Sequence, residues 1–229
     1  MASREVEKLR RQKSRSLSRK KPARATFPTL LIVCEGRNTE PSYFNALKFK
    51  TATIEAVGQG CNTLSLVRRA QQLVTSKAFD EVWCVFDKDD FPDQDFNQAI
   101  VLASAKGFRV AYSNQAFEYW LLLHFNDHQG GALHRNHYAD LINRAIRPLG
   151  AWYDAAGSKI ITPEFFHLLF GYDTKYKKRR VDLAIERAKR IYERYSHQSP
   201  ADEESSTTVH VLLDHLLAFS RPNNTREGM

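Results

Sequence analysis

Long apolar runs are missing from this sequence. Leu30–Cys34 and Leu121–Leu123 are far too short to cross a bilayer, which excludes a helical membrane protein. Met1–Thr26 is basic but has no apolar core segment, so it does not read as a secretory signal. Cysteine is scarce. Cys34, Cys61 and Cys84 show no Cys-x-x-Cys spacing, and two of them fall in predicted strands. That excludes a zinc framework or a disulfide scaffold and points to reduced, buried thiols in a cytoplasmic protein. There is no Walker A motif, no internal repeat and no recognisable nucleotide-base pocket.

Charge is present but unevenly placed. The net charge is +8 at pH 7. Ten Lys/Arg and two Glu lie between Met1 and Ala25, and the other 204 residues hold 24 charges of each sign. The high isoelectric point therefore belongs to the tail. Residues 1–25 are poor in apolar side chains and are expected to be disordered. Such a tail can attract nucleic-acid phosphates without reading sequence, or simply be solvated.

Past the tail, the first half alternates strand and helix. Leu30–Cys34, Thr53–Val57, Glu81–Phe86 and Phe108–Tyr112 read as strands. Helices are expected from Thr39, read as an N-cap, over Thr63–Lys77 and over Phe96–Lys106. That order predicts an α/β fold with a mostly parallel sheet flanked by helices. In the second half only helices are expected: Phe117–Phe125, Asn136–Arg147, Pro163–Phe170, Val181–Tyr195 and Thr207–Phe219, with Ser196–Ser206 as a polar linker. The expected organisation is a tail (1–25), an α/β domain (26–125) and a helical C-terminal portion packed on it (126–229).

The first strand stops at Glu35-Gly36, and the third ends in DKDDFPDQD (Asp87–Asp95). Ligands of open α/β sheets collect at the carboxyl ends of the strands. In extended chain Asp87 and Asp89 share a side while Lys88 points away. If the first and third strands are neighbours, Glu35, Asp87 and Asp89 converge. Such a cluster raises its own pKa values unless a cation neutralises it. Hard oxygen ligands suit Mg²⁺ or Mn²⁺, which leave positions open for phosphate oxygens. Either acidic stretch alone is an ordinary loop; it is their joint placement that points to a metal site. Gly36 would allow a tight turn and close approach of a phosphate.

Other residues carry two readings. Glu118 lies in an apolar helix and is either a site acid, orienting Asn114 or Lys175, or a first-turn acid at the helix N-terminus. Glu40 likewise suits a helix start or a supporting site role. Arg37 is a phosphate contact or a solvated arginine. DTKYKKRR (Asp173–Arg180) with Tyr172 and Tyr176 is the basic, aromatic patch of the fold, suited to a nucleic-acid backbone or to a solvated helix start. Lys175 or Lys178 could stabilise charge on a phosphate. His124, Trp83 and Trp120 are expected in the core.

Three segments, VCEGRNTEPSYF (Val33–Phe44), VFDKDD (Val85–Asp90) and SNQAFEYWLLLHF (Ser113–Phe125), resemble the RloB-like family, and the strand–EG–helix, strand–DxD order resembles the Toprim fold. The likeness continues through Gly171–Arg180 and Ser206–Leu216. It departs at Glu204-Ser205-Ser206-Thr207, where many relatives carry an Asn-Pro-Ser-Thr-like stretch. The resemblance implies a Mg²⁺- or Mn²⁺-dependent nuclease acting on DNA or RNA, associated with restriction or anti-phage defence and frequently paired with an ATPase. By Toprim analogy, Glu35 is general acid/base or metal ligand, and Asp87 and Asp89 hold the metal. The alternatives are a non-catalytic nucleic-acid-binding or regulatory subunit, and nucleotidyl transfer on the same metal. Homo-oligomerisation is left open.

Overall fold

The computed structural model describes residues 27–60, 62–128, 133–154 and 157–220. The basic tail and Cys61 lie outside the described residues.

Four parallel strands form the sheet: β1 (Thr29–Cys34), β2 (Thr53–Gly58), β3 (Glu81–Asp87) and β4 (Arg109–Ser113), in the order β2-β1-β3-β4. Helices α1 (Thr39–Ala46), α2 (Thr63–Ser76) and α3 (Asp93–Ala105) make the crossovers. β1 and β3 are direct neighbours, with Cys34 opposite Val85. Their runs are apolar because both faces of the sheet are covered. Leu30, Ile32 and Cys34 pack into one layer with Tyr43, Trp120 and Leu213. Leu31 and Val33 pack into the other with Leu66 and Phe96. The alternation of period two sorts each side chain to its layer. The Cys34 and Cys84 thiols are both free and buried, and burial pushes Cys84 up to about 12.

The helical second half comprises α4 (Glu118–Leu123), α5 (Tyr138–Ile146), α6 (Pro163–Phe170), α7 (Arg180–Tyr192) and α8 (Val209–Ala218). One cluster of buried side chains runs from β1 through Tyr138 and Leu169 to Leu216. Among the described residues no helix is long and apolar enough to cross a membrane.

The structure differs from the sequence expectations in three places. Thr39 is the first helical residue of α1, not its cap; Asn38 precedes it. Asp173–Arg179 does not form a helix start; the helix begins only at Arg180. This stretch folds into a short antiparallel hairpin, β5 (Tyr172–Asp173) with β6 (Lys178–Arg179). The Asp173 carboxylate accepts from the Lys175 and Tyr176 amides, and Lys177 takes a left-handed φ of 52°, so the turn closes locally. Finally, the polar stretch 196–206 is not a linker throughout: Ser196–Gln198 are exposed, but Ala201, Glu203 and Ser205 are buried. Ser206 and Thr207 are fully buried. The Asn114 amide donates to Ser206 O, the Thr208 amide donates to Tyr112 O, and Ser113 bridges Thr207, so this segment covers the outer edge of β4.

His124 is a core histidine as expected. Its Nδ1 lies 3.0 Å from Trp120 O, and burial lowers its pKa to about 3. An unfolded chain protonates a histidine near ~6.5, so acidification from about pH 6.5 towards 3 favours unfolding by about 1.4 kcal/mol per unit at this residue. The expected outcome is that His124→Gln loses less stability than the wild type over that interval. Urea unfolding at pH 7 and pH 5 measures it, and equal losses in the two proteins count against the assignment.

Candidate active site

At the carboxyl ends of β1 and β3 a cleft of about 450 Å³ opens, lined by Glu35, Glu40, Asp87, Asp89 and Glu118 together with Arg37, Arg135 and Lys159. The parallel register brings Glu35 and Asp87 here, and Glu40 and Asp89 follow from the segments just beyond those strands. Glu35 follows β1, and its amide extends the ladder to Val85 O at 2.9 Å. Its Oε2 accepts from the Asp87 amide at 3.1 Å. Asp87 closes β3, and its Oδ2 accepts from the Phe117 amide at 3.0 Å. Asp89 reaches the same cleft by another route than simple alternation. The chain leaves the extended form, and Asp89 takes a φ of 48° with its amide on Gln115 O. Lys88 does point away, to Phe91 O at 2.7 Å and the Asp93 carboxylate at 2.9 Å.

Glu40 and Glu118 belong to the cleft more closely than their helix positions alone required. Both are buried, at 4% and 6% exposure. Glu40 Oε1 folds back to accept from the Gly36 amide at 3.0 Å. This contact explains the glycine. A Cβ at Gly36 would lie 2.3 Å from Glu40 Oε2, so the missing side chain makes room for a carboxylate of the same chain. Glu118 Oε1 accepts from Tyr153 Oη at 3.1 Å and Lys159 Nζ at 3.0 Å.

Burial first, and crowding by other acids second, shifts Glu35, Glu40 and Asp87 upward. Glu35 is raised to about 7, chiefly by burial and then by Glu40, against the pull of the Asp87 amide and Arg135. Glu40 is raised to about 6 by burial and by Glu118. Asp87 stands well above the usual carboxylate range because it is buried and faces Glu40, Glu35 and Glu118. Two oxygens in the cleft, Asp87 Oδ1 and Asp89 Oδ1, are buried without a hydrogen-bond partner. Native folds rarely leave such acceptors orphaned.

These features fit a hard divalent cation. Five acids against three cations line the cleft and offer the hard oxygen ligands such an ion takes. Asp87 and Asp89 would hold it, with Glu35 beside them. As the side chains stand, no three acids, histidines or cysteines among the described residues enclose a point tightly enough to ligate a metal. The carboxylates are turned to backbone amides, to Arg135 and to Lys159 instead.

The residue model of the RloB-like protein family matches residues 30–216. The chain belongs to the RloB-like family. No curated protein and no solved structure gives a significant match.

In this RloB-like chain the EGRNTE run has a distinct task for nearly every residue. Asn38 Nδ2 donates to Ser158 O at 2.8 Å, and Thr39 Oγ1 donates to Lys159 O at 3.0 Å. With Ser42 Oγ, which accepts from the Ile161 amide, they clamp the 157–161 loop and deliver Lys159 into the cleft. Arg37 lies across Gly60, where a Cβ would meet its Nε at 2.2 Å.

Other expected site residues fall elsewhere. Lys175 and Lys178 do not line the cleft: Lys175 lies over the Tyr176 ring and Lys178 pairs with Glu186 at 2.6 Å, both on the exposed hairpin. Glu118 orients neither Lys175 nor Asn114. Asn114 holds the edge-covering segment, donating to Pro200 O and Ala201 O. The sequence reading missed Arg135, Lys159 and Tyr153, each in a stretch without motif or periodicity. Only the apolar ITPEFF run after Lys159 hints that its loop is anchored.

Burial and the neighbouring acids Glu40, Glu35 and Glu118 raise the Asp87 carboxyl, so its charged form is disfavoured by the fold. A carboxyl whose pKa rises on folding weakens the fold as pH climbs through its unfolded value, about 3.9, and the weakening persists at neutral pH. Asp87→Asn keeps an acceptor for the Phe117 amide and sheds the charge. The expected result is a higher melting temperature than the wild type in EDTA at pH 7, with no further rise on adding Mg²⁺. A lower melting temperature in EDTA overturns it. Gly36→Ala should cost about 1–3 kcal/mol in urea unfolding, because the methyl displaces the Glu40 carboxylate.

Proposed function

We propose that this protein is a Mg²⁺- or Mn²⁺-dependent nuclease that hydrolyses phosphodiester bonds in DNA or RNA, in an anti-phage or restriction-associated setting. The observation carrying it is the pair of orphaned buried oxygens on Asp87 and Asp89, at strand ends, in a cleft rimmed by Arg37, Arg135 and Lys159. An acidic cleft repels a phosphodiester unless a cation intervenes, whereas a basic rim attracts it. A divalent ion bound here supplies neutralisation of phosphate charge and acidifies a water.

The chain's own groups divide the remaining work. Asp87 and Asp89 provide the ligand oxygens. Glu35, with its carboxyl near 7, is placed to take a proton from water and to return one to the leaving oxygen. Lys159 and Arg37 hold non-bridging phosphate oxygens and keep the reacting bond oriented. Glu118 and Tyr153 fix Lys159 in place. The defence setting and an ATPase partner rest on the family resemblance alone.

The exposed hairpin favours a second reading. Tyr172 and Tyr176 are 59% and 45% exposed beside Lys175 and Lys177, a surface suited to stacking and phosphate contact. It belongs to a nucleic-acid-binding subunit as readily as to a nuclease.

Cleavage assays with labelled single- and double-stranded DNA and RNA in Mg²⁺ separate the two. The expected outcome is metal-dependent cleavage that Glu35→Gln reduces by about a hundredfold or more, while its melting temperature is kept. Undiminished cleavage by Glu35→Gln removes the catalytic assignment. Binding without cleavage by the wild type moves the conclusion to the binding subunit.

A further inference from the structure

Arg135 occupies an unusual position in the cleft. It belongs to a single 3-10 turn, Arg135–His137, directly ahead of α5, whose Tyr138 is fully buried. The turn is therefore anchored while the side chain, about one-third exposed, reaches inward. Its guanidinium pairs directly with Asp89 Oδ2. The other oxygen of Asp89 is buried and unpartnered. The positive charge also acts on Glu35.

Arg135 thus neutralises Asp89 through one oxygen while the other, the one open to a metal, stays unpartnered. A guanidinium and a divalent cation both draw on the charge of this one carboxylate, so each weakens the hold of the other. A guanidinium has a second option that the metal lacks: its planar fork matches a phosphate group with two parallel hydrogen bonds. Lys159 is less suited to such an exchange, because its partner Glu118 is also tied to Tyr153 and its backbone is clamped by Thr39.

We propose that Arg135 is a resident counter-cation of the metal site, exchanging Asp89 for a substrate phosphate, so that metal and nucleic acid bind with positive coupling. The metal displaces Arg135 from Asp89 and frees it for the phosphate. A phosphate that captures Arg135 frees Asp89 for the metal. Linkage requires both effects to be equal in size. The inference rests on the metal site proposed above and does not require cleavage.

The test is Mn²⁺ binding by calorimetry to the full chain, wild type and Arg135→Gln, with and without phosphorothioate-linked DNA and RNA oligonucleotides that resist cleavage. The expected results are threefold. Arg135→Gln binds Mn²⁺ roughly fivefold tighter or more in the absence of oligonucleotide. It binds oligonucleotide more weakly. The tightening of Mn²⁺ that oligonucleotide causes in the wild type is lost.

Unchanged or weaker Mn²⁺ binding by Arg135→Gln makes Arg135 a fixed clamp on Asp89 and overturns the proposal. Absence of coupling in the wild type with both oligonucleotides overturns it as well. Absence of Mn²⁺ binding removes it together with the metal site. Coupling without cleavage leaves it standing and removes only the nuclease. Should Arg135→Gln fail to fold, Arg135→Lys keeps the charge and loses the fork; oligonucleotide binding and coupling must then fall, and unaltered values overturn the exchange.

Discussion

Asp87 accepts one backbone hydrogen bond while Glu35, Glu40 and Glu118 press negative charge against it, and the carboxyl end of the sheet is organised around that repulsion. Each neighbouring acid has its own device for tolerating the crowding. Glu35 leans on the Asp87 amide, Glu40 on the Gly36 amide, Glu118 on Tyr153 and Lys159, and Asp89 on Arg135. Buried carboxylates gathered in this way weaken a fold and are retained where they hold a cation or move protons.

Topology creates the crowding. Parallel pairing puts the ends of β1 and β3 side by side, with Cys34 opposite Val85 and Asp87 two residues further on. The N-terminus of α1 follows immediately and adds Glu40, and the start of α4 adds Glu118 just after β4. The second half of the chain supplies the opposite charge, through the turn before α5 and the loop before α6. It also covers the edge of β4 with the buried Ser206–Thr208 segment. Neither half alone makes a balanced site.

Much of the acidic side of the site was legible in the sequence. Strand ends carry ligands in open α/β sheets, so Glu35 and Asp87 followed from hydrophobic patterning and the adjacent acids. Asp89 was placed rightly through an argument from alternation, although the chain delivers it by a left-handed turn. Of the three cations lining the cleft, only Arg37 was legible. Lys175 and Lys178 stood out because they cluster, yet clustering marks an exposed hairpin here. Arg135 and Lys159 stand singly, in a 3-10 turn and a loop, and reach the cleft from 46 and 70 residues beyond Asp89 in the numbering.

By itself the sequence determined the parallel α/β order, the two-layer core and the acids at the strand ends. These depend on local period, on propensity and on residues close to one another in the chain. Only the tertiary structure decided which cations meet those acids, that Gly36 is empty for the sake of Glu40, and that the polar Ser205–Thr208 segment is packed inside. Those outcomes depend on contacts between segments far apart in sequence, for which a single chain carries no local signal.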